Sequence, residues 1–231
     1  MSIKYTSSVG QKFNKDLSVR QFPGNTIICF VDPELHPTIF KEVSWAQHQL
    51  QAMACAGKFN FLPPDSFHMT VLELLCEQIR TQDYWSSHLP ISASLDETDR
   101  FFIEQSRQIQ FPSSFAMKFA QARYPATLKV EPADAETVKS LVVFREQMAE
   151  ILGVRRPNFN EYEFHITLGY NLIELEPDEI VEQTNTFEAI NQRLTESFGR
   201  FETSAPALTF FDDMAKFVRE PERLSLASRA K

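Results

Sequence analysis

Two short segments, His68-Met69-Thr70 and His165-Ile166-Thr167, carry the residue types and spacing best suited to chemistry in this chain. Each is flanked by apolar residues that favour a strand: Phe67 and Val71 around the first, Phe164 and Leu168 around the second. Strand side chains alternate between faces, so each His shares a face with its Thr while the apolar flanks turn to the interior. Cleaving a phosphodiester needs a group that takes a proton from the attacking oxygen and another that protonates the leaving oxygen. It also needs donors that steady charge on the phosphorus oxygens. Two imidazoles and two hydroxyls supply that set, because imidazole populates both protonation states around its ordinary pKa of about 6.5. One such segment is weak evidence, since Thr is common in strands and a single His more often packs or faces solvent. Two of the five histidines with matching flanks are a stronger signal.

Other chemistries find less support. His36 and His88 lie near prolines in loop-like sequence and His48 falls on a predicted helix, so all three are expected to face solvent. Neither His-x-Thr strand carries a second His, Cys or carboxylate at ligand spacing, so no metal and no cofactor are expected. Glu73 and Glu163 are close enough in sequence to orient an imidazole, with exposed strand carboxylates as the plainer alternative. Gly24, Gly57 and Gly153 occur singly, which leaves no glycine-rich phosphate cradle, and no serine sits in a nucleophile elbow.

The elements that must position the two motifs repeat along the chain. A β-rich run, Thr26 to Val31, ends at Asp32-Pro33. A helix follows whose apolar positions Ile39, Val43, Ala46, Leu50 and Met53 recur every three or four residues, with Gly57 as its stop. The first His-x-Thr comes next. The order then returns: a strand over Ala126 to Val130, a break at Glu131-Pro132, and a helix with Val138, Leu141, Val142, Met148 and Leu152 on its apolar face. Gly153 stops that helix ahead of the second motif. Each half continues alike, with helical patterns at 99–108 and 178–198 and strand patterns at 115–119 and 206–211. This predicts an α+β fold of duplicated β-α-β-α-β units about a pseudo-two-fold axis, each lobe an antiparallel-rich sheet with helices outside. The predicted organisation is a polar arm or frayed end at 1–21, one bilobal domain at 22–217 with halves near 22–119 and 120–217, and a tail at 218–231.

Composition sets the outer bounds. A chain of 231 residues with 43% hydrophobic content and 21 phenylalanines can bury a full core. A net charge of −8 argues against a broad grip on duplex DNA but not against a small nucleotide or a strand end. Lys129, Arg123, Arg155 and Arg156 supply local positive charge between the motifs, with solvated surface the expected use of each. The three cysteines, Cys29, Cys55 and Cys76, lack metal or redox spacing and read as ordinary thiols. The start of the chain has no apolar core of a leader, and no run approaches the roughly 18 apolar residues of a membrane span. A monomer in a reducing cytoplasm, away from membranes, is expected.

Taken together, the paired motifs and their repeat resemble the two-histidine phosphoesterase superfamily, from about Thr26 to about Phe211. The Phe22-Pro23-Gly24-Asn25-Thr26 opening and the Pro64-to-Glu73 stretch further resemble an uncharacterised branch of it, known only as a domain of unknown function. The resemblance implies a bilobal fold with a groove and metal-independent activity on 2′,3′-cyclic phosphates, or on 2′-5′ or 3′-5′ linkages, of nucleotides and RNA ends. It implies that His68 and His165 are the acid/base pair and that Thr70 and Thr167 bind phosphate, with the acid and base roles open. Tyr170, Tyr124 and Arg123 are further candidates for substrate contact, the tyrosines by stacking on a base or else serving as packing. Two other readings stand beside hydrolysis: an RNA-end transesterase or 2′-5′ ligase-like enzyme, and a non-catalytic nucleotide- or RNA-end-binding module. The arm and the stretch from Cys76 to Phe111, with Tyr84-Trp85, depart from better-known members, and that stretch is expected to cover or reshape the groove.

Overall fold

The computed structural model describes residues 3–219; most of the expected tail, 220–231, lies outside the described residues. Nine strands and four α-helices form in the described chain: β1 (Gly24–Phe30), α1 (Pro37–Gln51), β2 (Phe59–Phe61), β3 (His68–Cys76), α2 (Leu95–Ser106), β4 (Ala116–Arg123), β5 (Thr127–Pro132), α3 (Ala135–Leu152), β6 (His165–Thr167), β7 (Gly169–Asn171), α4 (Pro177–Ser197), β8 (Arg200–Glu202) and β9 (Ala207–Phe211). Local chemistry sets their ends. Asp32 Oδ1 accepts the amides of Glu34 and Leu35 and turns the chain out of β1, and Pro37 opens α1. Ser94 and Glu97 form a capping box on α2. Asp134 caps α3, and Gly153 ends it in the left-handed region at φ 65°.

Seven strands make one antiparallel sheet in the order β8-β4-β5-β6-β3-β1-β9, and β2 pairs with β7 separately. The architecture is α+β with antiparallel sheets and flanking helices, and apart from the edge strand β8 its order reads symmetrically about the β3–β6 joint. That joint is a single pair, Met69 opposite Ile166, and both side chains are buried. The outer strands are exchanged: β4, from the first half of the sequence, joins β5, whereas β9, from the second half, joins β1. The helices exchange likewise, α1 packing on α4 and α2 on α3. Sequence order alone does not reveal this, because the pattern of a strand fixes its faces and not its neighbour.

Three expectations change in detail. The first helix ends at Gln51, well before Gly57, although Met53 beyond it is still buried. On α3 the buried face holds Leu141, Phe144, Met148 and Leu152, while Val138 and Val142 stand exposed. The arm is not a frayed end. The Thr6 amide donates to Leu172 O at 3.0 Å, and Phe13 is fully buried in a second apolar cluster with Phe22, Leu62, Leu172, Phe211 and Met214. Val9, Phe13 and Leu17, four residues apart, supply the apolar edge that the arm's polar composition hides. At the other end Val218 pairs with Phe210 and brings the segment after β9 back beside that strand. Among the described residues no helix is long and apolar enough to cross a membrane.

Candidate active site

Because β3 and β6 are neighbours at the centre of the sheet, the two His-x-Thr motifs lie side by side. Their apolar residues Met69, Val71, Ile166 and Leu168 are buried beneath, while His68, Thr70, His165 and Thr167 stay partly exposed. All four line one groove of about 470 Å³. The imidazoles are held alike: His68 Nδ1 meets Ser66 O at 2.7 Å, and His165 Nδ1 meets Glu163 O at 2.8 Å. A carbonyl can only accept, so in each ring Nδ1 carries a proton and Nε2 is the atom left for chemistry. Backbone carbonyls therefore orient the rings, and neither Glu73 nor Glu163 does so through its carboxylate. The Glu163 carboxylate binds Arg123 and Lys129, whose donors pull its pKa down to about 2. Glu73 accepts from Arg156 at 3.3 Å and from Asn158 at 3.4 Å.

The surroundings of the two rings differ. Phe217 lies against His68 with ring centroids 4.3 Å apart, and Phe211 backs Phe217 at 5.2 Å. Burial lowers the His68 pKa to about 4; the carbonyl of Ser66 opposes that shift and the charge of His165 adds to it. His68 is thus neutral at pH 7 in the free protein. His165 sits 6.1 Å from the ring of Tyr162. The Tyr162 hydroxyl is pushed up, first by burial and then by Glu73, while a hydrogen bond to Thr70 opposes the rise, so Tyr162 ties one motif to the other.

The structure sorts the remaining candidates. Tyr170 lines the groove; its hydroxyl reaches Met214 Sδ at 3.5 Å. Tyr124 and Arg123 do not line it. Tyr124 is 57% exposed and bonds Asn171, and Arg123 is spent on Glu163. Arg156, expected on solvated surface, is instead a groove residue, half-buried, with its guanidinium on Leu74 O and Glu73 and over the ring of Tyr84. Arg155 does stay outside, paired with Glu146. Sequence reasoning also missed Tyr162, Asn158, Lys12 and Phe217; their one signal was proximity to the motifs in the case of Asn158 and Tyr162. The stretch after Cys76 reaches the groove through Ile79, and Trp85 is buried away from it with its indole N–H on Pro90 O. His48 and His88 are exposed, and His36 begins α1. The three thiols are buried and free, and burial pushes Cys29 up to about 12. Among the described residues no three His, Cys, Asp or Glu side chains gather where they could hold a metal ion.

Known structures share this fold. The crystal structure of a conserved protein of unknown function, ATU0111, from Agrobacterium tumefaciens superposes with a TM-score of 0.87 at 24% identity, over 95% of this chain and 93% of that one. A crystal structure of a phosphoesterase gives a TM-score of 0.50 at 12% identity, over 87% of this chain and 97% of that one. Both likenesses are of fold. No curated protein matches the sequence. The family model described as 2H-phosphodiest, domain of unknown function (DUF1868), matches residues 12–128, just over half of the chain, and includes the first His-x-Thr strand. The chain belongs to that two-histidine phosphodiesterase family.

Proposed function

We propose that the protein is a metal-independent phosphodiesterase that opens 2′,3′-cyclic phosphates of nucleotides or RNA ends. His68 is the general base and His165 the general acid. The observation that carries this reading is the pair of imidazoles with both Nδ1 atoms engaged by carbonyls, which turns two equivalent Nε2 atoms to one groove beside two threonine hydroxyls. With His68 neutral, its Nε2 takes a proton from water as the water oxygen bonds to phosphorus. The bond from phosphorus to the 2′ or 3′ oxygen breaks, and that oxygen receives the proton of His165 Nε2. Thr70 and Thr167 donate to the non-bridging oxygens. A bound anionic phosphate favours the charged form of both rings, so the working pKa of His68 lies above that of the free protein, nearer the range a general base needs.

The test is turnover of adenosine 2′,3′-cyclic phosphate in the presence of EDTA. His68→Ala and His165→Ala are each expected to lower kcat by at least about a hundredfold, the low end for a general acid or base. Undiminished turnover in either variant removes that histidine from the mechanism. Binding of the nucleotide with no turnover at any pH would make the groove a recognition module.

A further inference from the structure

The repeat places one His-x-Thr on each side of the groove, yet the segments that finish the groove lie outside the repeated strands and helices. Residues of the arm and of the chain after β9 close it on the His68 side. Whatever part of a substrate breaks the symmetry of the phosphate is expected to lie where the protein breaks its own.

The cations of the site point to what that part carries. Arg123 and Lys129 are engaged by Glu163, and Arg156 by Glu73 and Leu74 O. Lys12 lines the groove, and among the described residues it pairs with no carboxylate. Its ammonium rests instead over the rings of Tyr170, at 5.0 Å from the centroid, and Phe22, at 5.5 Å. Ring faces hold a cation loosely and leave it N–H donors for an anion. From Lys12 the wall runs through Tyr170 and Met214 to Phe217, which lies on His68. An apolar stretch with an ammonium at one end and the imidazoles at the other has the pattern of a nucleoside flanked by two phosphates. A groove of about 470 Å³ falls within the usual range of about 300–1,000 Å³ for such ligands.

We propose that Lys12 binds a second phosphate of the substrate, carried on the 5′ oxygen of the nucleoside whose cyclic phosphate sits at the histidines. The inference rests on the phosphodiesterase reading and narrows it to substrates with phosphate on both sides of the sugar. That 5′ phosphate is either a free monophosphate or the next link of an RNA strand.

The experiment compares three probes on the full chain: adenosine 2′,3′-cyclic phosphate, the same compound with a 5′-phosphate, and a dinucleotide ending in the same cyclic phosphate. One charge-assisted contact predicts a preference in kcat/KM of about tenfold or more for a probe with 5′ phosphate, mainly through KM. The two phosphorylated probes separate the free nucleotide from the RNA end as the source. In Lys12→Met the ratio between probes falls to about one, and Lys12→Arg keeps it. An equal rate on all probes in the native protein, or an unchanged ratio in Lys12→Met, overturns the proposal. If no probe is turned over, the phosphodiesterase reading has failed. Lys12 is then judged by calorimetry, where adenosine 5′-monophosphate should bind the native protein about tenfold more tightly than adenosine, and equally weakly after Lys12→Met. No difference in the native protein removes the role of Lys12.

Discussion

The two histidines share a motif, a strand position and a backbone partner, but they do not share surroundings. His68 lies under Phe217, on the side closed by the arm and the chain after β9, and burial holds it near pKa 4. His165 follows Glu163, whose carboxylate is exposed and paired with two cations. A duplicated site is symmetric in its reacting atoms, and an in-line displacement needs asymmetric proton states. Segments outside the repeated strands and helices supply the asymmetry. On the proposed mechanism, the difference teaches that the motif supplies the two candidate reacting atoms and the flanking chain distinguishes which of them is the base.

The comparison breaks most sharply if the closed side is not truly part of the fold. Phe13 is fully buried and packs on Tyr170 at 5.1 Å between ring centroids. Phe13→Ala is therefore expected to destabilise the protein by about 3–5 kcal/mol, as for a core Phe. Urea unfolding reads this directly. An unchanged midpoint would mean that the arm opens independently of the sheet and cannot set the surroundings of His68.

How far the site was legible follows from the same contrast. The His-x-Thr strands and their helices repeat in sequence, and period-2 and period-3.6 patterns report which side chains share a face, so His68, Thr70, His165 and Thr167 could be placed together in advance. What closes the groove has no period. Val9, Phe13 and Leu17 are sparse apolar residues in a polar stretch, and Phe217 comes after the last strand pattern. Arg156 reads as surface until its contact with Leu74 O, 82 residues away in sequence, is known. The exchange of β4 and β9 was hidden for a related reason, because antiparallel pairing across halves leaves no mark on either strand.

A smaller effect tests the cause of the His68 shift. If the Phe217 ring keeps His68 dry, Phe217→Ala admits water and raises its pKa from about 4 toward the ordinary 6.5. His68 must be neutral to act as a base, so the acid limb of the kcat/KM profile moves to higher pH in the variant, the two apparent values belonging to the coupled pair. Stability follows with a defined sign. Between pH 6.5 and about 4 the unfolded chain takes up a proton at this residue that the folded chain refuses, so stability falls as pH drops through that window. Thermal unfolding of Phe217→Ala should depend less on pH there. An acid limb that stays in place would assign the shift to the rest of the groove.

The smallest effect belongs to the open side. Arg123 and Lys129 hold the Glu163 carboxyl near pKa 2, so whatever stability the cluster adds is present above the ordinary carboxylate range and is lost as pH falls through about 2. All three side chains are substantially exposed, which leaves the pairs screened by solvent and salt. Glu163→Gln removes the charge and keeps the carbonyl that accepts from His165 Nδ1. Turnover is expected to change by less than about threefold, because a carboxylate that truly oriented the ring would show a loss of about ten- to a hundredfold, as such partners do at metal-bound histidines. A loss of that size would mean that the charge of Glu163 tunes His165, and the two sides of the groove would then both be set by their flanks rather than His68 alone.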